Sequence, residues 1–235
     1  MKKIRIAVVG ASGRMGQEIS AVVDKDSPFV LKLAICRSEV GGYQKQSSSC
    51  SAILKKEIDV IIDFSNPELC LEALEVASKE RIPFVSGTTG LSEKQFKKFE
   101  SLSKGIPLLF ESNMSLGICI LRQAIKVLGK FTDADFQIEE IHHKRKKDTP
   151  SGTAITLQKE LEKATGKKWP APLSIRGGGV FGVHRLLALS EEEIISFEHT
   201  ALNRKVFAKG ALQAALWLSK QKAGRYQMSH VLGIE

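Results

Sequence analysis

The sequence contains no apolar run approaching the roughly 18 residues that a membrane-spanning helix needs. Its first residues, MKKIRIAVVG, pass from two lysines straight into a β-branched stretch and a glycine turn, with no small-residue cleavage site. These absences lead us to expect a cytoplasmic protein with no membrane partner. Cysteine is scarce as well. Cys36, Cys50, Cys70 and Cys119 form no CxxC pair, which excludes the usual zinc spacings and a disulfide framework. We read them as reduced packing residues and expect no metal site. Aromatic residues make up only 6%, and neither zinc-finger spacing nor the aromatic signature of an RNA-binding sheet is present. Nucleic acid is therefore a poor partner for this chain, although its formal net charge of +9 demands or at least permits an anionic one. Small polyanions, such as a phosphorylated cofactor and a carboxylate substrate, would use the same charge.

What is present is an alternation of short apolar strands and amphipathic helices over the first half of the chain. Strand-like runs at Ile4 to Val9, Phe29 to Ile35, Asp59 to Phe64, Pro83 to Ser86 and Ile106 to Phe110 alternate with helical spacing. The helices are read at Met15 to Val23, after Pro67, and at Ser92 to Ser103. Pro67 suits a first helical turn, where its missing N–H is no loss. Alternation of this kind implies right-handed βαβ crossovers and a parallel sheet. Residues 38 to 51, SEVGGYQKQSSSCS, are polar and aperiodic, and we read them as a loose surface loop without chemistry.

After Asn113 the pattern changes. A helix is expected at Met114 to Leu128, a strand at Ala134 to His142, and a helix at Gly152 to Thr165 capped by Ser151. A GGG turn and strands at Val183 to Leu189 and Ile194 to His199 follow, joined by short polar turns that imply an antiparallel or mixed sheet. A helix at Val206 to Ser219 comes last. There is no internal repeat.

Three segments carry chemistry. Gly10-Ala-Ser-Gly13-Arg-Met-Gly16 lies between the first strand and the first helix. There the backbone can approach a pyrophosphate closely while the helix N-terminus presents free N–H groups to it. At the end of the second strand the position for a ribose-binding carboxylate holds Cys36-Arg37-Ser38 instead, with Glu39 two places late. Arg37 suits a 2′-phosphate and so NADPH, while Glu39 could still reach a ribose and permit NADH. Gly87-Thr88-Thr89-Gly90 follows another strand at the edge where parallel sheets bind ligands, although a plain βα turn would use similar residues.

The third segment is EEIHHKRKKDTPSGTA, residues 139 to 154. Imidazole is the side chain best suited to proton transfer near neutrality, and a nearby lysine can polarise an imine or a carboxylate. The PSGT that follows reads as a helix start, whose free N–H groups and hydroxyls would receive a carboxylate. A solvated basic loop is the plain alternative.

With these segments in view, the sequence resembles the dihydrodipicolinate reductase family, the NAD(P)H-dependent 4-hydroxy-tetrahydrodipicolinate reductases of lysine and diaminopimelate biosynthesis. The resemblance runs nearly end to end. It rests on GxxGRMG at Gly10 to Gly16, IDFSNP at Ile62 to Pro67, GTTG at Gly87 to Gly90, SNMSLG at Ser112 to Gly117, EIHHxxKxDxPSGTA at Glu140 to Ala154, and RxxxFAxGAxxAAxWL at Arg204 to Leu218. It implies an α/β fold: a Rossmann-type dinucleotide-binding domain over residues 1–112, completed by 205–235, and a smaller α+β domain with a mixed sheet over 113–204 for substrate binding and oligomerisation. It also implies a homotetramer. By the same resemblance His142 is the general acid/base and Lys146 the second proton donor or imine-polarising cation. His143, Ser151, Gly152, Thr153 and Arg204 grip the substrate's two carboxylates. Gly10, Ala11, Ser12, Gly13, Arg14, Met15, Phe64, Gly87, Thr88, Thr89, Glu111, Ser112, Asn113 and Met114 contact the cofactor, with Arg37 favouring NADPH. The sequence departs from the family in the short 38–51 loop, in the replaced acidic residue, and in Glu111-Ser112, where small residues are common. Rival readings are another two-domain NAD(P)-dependent reductase of an amino or imino dicarboxylate, a catalytically inactive sensor of the same ligands, and a nucleic-acid-binding module.

Overall fold

A computed structural model of the chain describes residues 2–234. The described residues form two compact units, one of residues 2–114 with 207–234 and the other of residues 115–206.

The first unit carries a seven-stranded sheet. Its elements in chain order are β1 (Ile4–Val9), α1 (Arg14–Val22), β2 (Phe29–Ile35), β3 (Lys45–Ser47), β4 (Val60–Asp63), α2 (Pro67–Glu80), β5 (Phe84–Ser86), α3 (Glu93–Leu102) and β6 (Pro107–Phe110). All strand pairs are parallel, as β-branched runs buried on both faces require. Val60 to Asp63 and Phe84 to Ser86 are buried at every position. The core collects Val9, Ile35, Ile61, Leu74, Phe84 and Phe99. Pro67 occupies the first turn of α2, and the Asn66 side chain caps it by accepting from the Leu69 N–H at 3.0 Å.

From β1 the chain runs outward through β2 to β3, then returns to lie on the other side of β1 as β4. The reversal makes a switch point, and the carboxyl ends of β1 and β4 diverge there into a crevice.

The second unit consists of α4 (Leu116–Leu128), β7 (Asp135–His142), α5 (Gly152–Thr165), β8 (Leu173–Arg176), β9 (Gly182–Leu189) and β10 (Ile194–Ala201). Its sheet runs in the order β10-β9-β7-β8, with only β7 and β8 parallel. Strict alternation along β7 and β9 turns Phe136, Ile138, Leu186 and Ala188 toward the apolar core formed with α4 and α5. The chain ends with α6 (Lys205–Leu218), β11 (Gly224–Tyr226), which extends the first sheet beside β6, and α7 (Met228–Leu232).

Residues 38–51 depart from expectation. Lys45–Ser47 pairs with β2 as an edge strand, a 3-10 turn follows at Cys50–Ala52, and Cys50 is fully buried. Three polar residues on an exposed edge carry no hydrophobic period, so this strand leaves no trace in composition. The edge strands β11 (GRY) and β8 (LSIR) escape because they span three and four residues, too few for a period to show. All four cysteines are free and buried, as expected of packing residues. Among the described residues no helix is long and apolar enough to cross a membrane.

Candidate functional site

In the first unit, a cleft of about 710 Å³ opens at the switch point. The loop after β1 lines it with Gly10, Ser12 and Gly13, the end of β2 with Cys36, Arg37 and Ser38, and the loop after β4 with Phe64 to Asn66. Ser48, from the segment read as a featureless loop, lines it too. Close backbone packing forms its floor. Gly10 has φ +79°, and a Cβ there would stand 2.4 Å from the Phe64 carbonyl oxygen. A Cβ on Gly16 would meet the Ala11 carbonyl oxygen at 2.4 Å, so the turn and the helix could not pack. Gly13 caps α1 without any side-chain hydrogen bond, which leaves the first amides of the helix directed outward. Ala11 is buried, Arg14 is exposed and Met15 half-buried on the first turn of α1.

Behind the cleft, Asp63 is fully buried at the end of β4. It accepts from the Ser86 hydroxyl at 2.7 Å and from the Ser65 hydroxyl, and burial raises its pKa. Thr88 Oγ1 accepts from the Ser65 N–H at 2.8 Å, which ties the loop after β4 to the Gly87–Gly90 turn. The Phe64 ring lies so close to Gly87 that a Cβ there would overlap it at 2.2 Å. Thr88 is thus a buried strut, while Thr89 is exposed. Glu111 is buried and accepts from the Met228 N–H at 3.4 Å; Ser112 is exposed, Asn113 half-buried and Met114 buried. A Cβ on Gly210 of α6 would stand 1.8 Å from the Met114 carbonyl oxygen, so the helix packs directly on that segment. Asp63, Ser65 and Ser86 escape a reading by sequence, although the pattern IDFS contains two of them.

In the second unit the apolar rows of β7 and β9 end in a polar cluster. Register sets Glu140 opposite His184 and, on the other side, His142 opposite Arg176. Period-two alternation turns Glu140, His142 and His184 to the same face as Phe136 and Ile138. Glu140 is fully buried. Arg176 clamps it with two hydrogen bonds, Nη1 to Oε2 at 2.8 Å and Nη2 to Oε1 at 2.6 Å. The Ser151 N–H donates to Oε1 at 3.1 Å, and His142 Nδ1 bonds Oε2. These four donors fill the carboxylate's acceptor sites. Burial works against the charge, but these donors, the Arg176 guanidinium first among them, hold the Glu140 pKa down to about 2. An ionised carboxylate only accepts, so its contact with Nδ1 of His142 favours the neutral tautomer with the proton on Nδ1 and a lone pair on Nε2. Desolvation lowers the pKa of His142 below its ordinary value; Glu140 opposes the shift, and Lys146 and Arg176 add to it.

Ser151 caps α5, its hydroxyl accepting from the Ala154 N–H at 3.2 Å, and lies 3.1 Å from His184 Nε2. Burial lowers the His184 pKa to about 3, so this ring is neutral. Its Nδ1 is buried without a partner, and a bare nitrogen there costs less than an orphaned N–H. A proton on Nε2 directed at Ser151 would leave the serine O–H able to donate elsewhere.

Lys146 is half-buried and pairs with Asp148 at 2.8 Å. The Asp148 carbonyl in turn accepts from Arg176 Nη2 at 2.7 Å, so one guanidinium holds both Glu140 and the loop that carries Lys146. His143 is half-buried, its N–H donating to the Val180 carbonyl at 2.7 Å. Gly152 faces open space and Thr153 is half-buried on the first turn of α5. The Arg204 guanidinium lies 5.5 Å from the centre of the Phe181 ring, one residue from Gly182, where a Cβ would sit 3.0 Å from His142 Nε2. Glu140, Arg176, Gly182 and His184 are the members that sequence reasoning missed. Only the alternation of β7 could have found the first of them. No group of three or more metal-ligating side chains occurs among the described residues.

A parallel sheet whose switch-point cleft is walled by glycine backbone is built for a dinucleotide, and the chain is an NAD(P)H-dependent oxidoreductase. The comparisons narrow the class. A family model described as dihydrodipicolinate reductase, N-terminus, matches residues 4–114, and its C-terminal counterpart matches residues 115–232. The chain belongs to the dihydrodipicolinate reductase family. It is 52% identical over 232 residues to the 4-hydroxy-tetrahydrodipicolinate reductase of Bdellovibrio bacteriovorus, an alignment covering 99% of this chain and 97% of that one. The enzyme of the same name from Anaplasma marginale is 36% identical, with 97% and 99% covered. Among solved structures, a dipicolinate-bound dihydrodipicolinate reductase from Paenisporosarcina sp. TG-14 has the same fold, with a TM-score of 0.81 at 19% identity over 96% of this chain and 97% of that one.

Proposed function

We infer that the chain reduces 4-hydroxy-tetrahydrodipicolinate to tetrahydrodipicolinate with loss of water, using NAD(P)H, in diaminopimelate and lysine biosynthesis. One observation carries this reading: the His142 imidazole, held by Glu140 and within the electrostatic reach of Lys146, lies beside the N-terminal turn of α5, whose Ser151 bonds both Glu140 and His184. Proton transfer, imine polarisation and carboxylate binding need those three groups.

In this reading His142 exchanges the proton at the ring carbon beside the one that is reduced. Lys146 polarises the imine nitrogen or supplies the second proton, and its charge favours negative charge developing on that nitrogen. The amides of Gly152 and Thr153, the Ser151 hydroxyl, His143 and Arg204 hold the two carboxylates. A bound nicotinamide supplies the hydride. Gly10 to Met15 would hold its pyrophosphate, because Gly10 lets the turn press against the Phe64 carbonyl and the first amides of α1 are left without a side-chain cap. Phe64, Gly87, Thr88, Thr89 and Glu111 to Met114 line the remainder. Arg37 at the cleft wall takes a 2′-phosphate, which makes NADPH the preferred cofactor and NADH a slower one. Residues 1–112 with 205–235 serve as the dinucleotide-binding domain, and 113–204 bind substrate and build a homotetramer. The enzyme works in the cytoplasm on a small dicarboxylate, with neither nucleic acid nor membrane as partner.

The test is spectrophotometric. NADPH should be oxidised on addition of freshly made 4-hydroxy-tetrahydrodipicolinate, and NADH more slowly. Oxidation with another imino dicarboxylate but not with this substrate would replace the reading.

A further inference from the structure

A buried ion pair stabilises a fold less than well-packed apolar side chains of the same volume, so Glu140 and Arg176 need a task that apolar groups could not perform. Glu140 follows Phe136 and Ile138 in the inward row of β7 that His142 ends, and it is fully buried with every acceptor site occupied. One of its oxygens meets His142 Nδ1, and Arg176 holds both. On the opposite side of the imidazole, Gly182 keeps Nε2 from being crowded, since a Cβ there would lie 3.0 Å away. The ring is thus bonded at one nitrogen and kept clear at the other.

We propose that Glu140, clamped by Arg176, is a positioning residue for the reduction: it fixes the His142 ring with its proton on Nδ1, so that Nε2 is the nitrogen presented for proton transfer. The proposal rests on the reading of His142 as the proton-transfer group. An imidazole free to rotate or to change tautomer would present N–H where a lone pair is required for part of its existence, and neutral glutamine at 140 would permit that. The charged groups facing the ring are Glu140 on its own strand, Arg176 on β8 and Lys146 in the following loop; His184 on β9 meets it edge to face, with centroids 5.2 Å apart. Of these only Glu140 favours the protonated ring, so removing its charge moves the His142 titration to lower pH.

The direct experiment is 15N NMR of the imidazoles in the full-length protein with NADPH bound, His142 being assigned by loss of its signal in His142→Gln. The proposal predicts a neutral ring with the proton on Nδ1. Glu140→Gln should reduce kcat about 10²-fold, leave NADPH affinity unchanged, and shift the His142 inflection of the pH–rate profile to lower pH. Glu140→Asp should restore part of the turnover. A purely structural role would alter neither tautomer nor inflection. Wild-type turnover in Glu140→Gln while His142→Gln is impaired would overturn the proposal and leave the assigned reaction standing. Wild-type turnover in His142→Gln would remove both. Should Glu140→Gln fail to fold, the wild-type spectrum decides alone, and a proton on Nε2 would overturn the proposal.

Discussion

The cleft of the parallel-sheet unit is made mostly of backbone: glycines pressed against carbonyls, helix amides left uncapped, and small hydroxyls as struts. The cluster of the mixed-sheet unit is made of side chains, with a buried carboxylate, a guanidinium and two desolvated imidazoles held by one another. A backbone site tolerates almost no added volume but is indifferent to pH. A side-chain site tolerates volume better but depends on the charge state of each member. Chemistry follows the division. Binding a dinucleotide needs shape and fixed dipoles, whereas moving protons needs groups that titrate.

The contrast can be broken most forcefully at Gly10. Gly10→Val places a branched side chain in the left-handed region and against the Phe64 carbonyl, and should cost about 3 kcal/mol or more of stability together with NADPH binding. Denaturant unfolding and cofactor titration would measure both, and a variant as stable as the parent would refute the backbone account.

Acid should discriminate between the units next. His184 has a folded pKa of about 3, below its unfolded value near 6.5, so in that interval the unfolded chain binds a proton that the folded one excludes. Stability is therefore complete above the unfolded pKa and falls with decreasing pH, by about 2 kcal/mol from this residue between pH 7 and pH 5. Asp63 in the other unit has a raised pKa and the opposite sign, since protonation relieves its burial. Hydrogen exchange, corrected for its intrinsic pH dependence, should show protection lost in β7 and β9 before β1 and β4. His184→Gln should flatten the dependence, and an unchanged slope would remove His184 from the account.

The smallest effect is expected at Arg37. Arg37→Ala should weaken NADPH about tenfold, as loss of a charge-assisted contact to a phosphate implies, and leave NADH unaffected. Equal losses for both cofactors would mean that Arg37 does not meet a 2′-phosphate.

The same division governs how much the sequence reveals. The glycine turn, the switch-point strands and the Pro67 helix start are legible because their causes are local, a φ that favours glycine or a period of apolar residues. The proline and serine ahead of α5 are legible for the same reason. Arg176 and His184 are not. They reach Glu140 and His142 only through the register of β8 and β9, strands separated from β7 by a helix and a glycine turn. The edge strand at Lys45–Ser47 stays hidden because pairing, not pattern, makes it a strand.

Turnover by this chain depends on proton transfer by the mixed-sheet cluster. Steady-state rates of NADPH oxidation by His142→Gln and Lys146→Ala, at saturating 4-hydroxy-tetrahydrodipicolinate, address it directly. We expect kcat to fall about 10²-fold or more in each while NADPH affinity is unchanged; wild-type turnover in both variants would contradict the assignment.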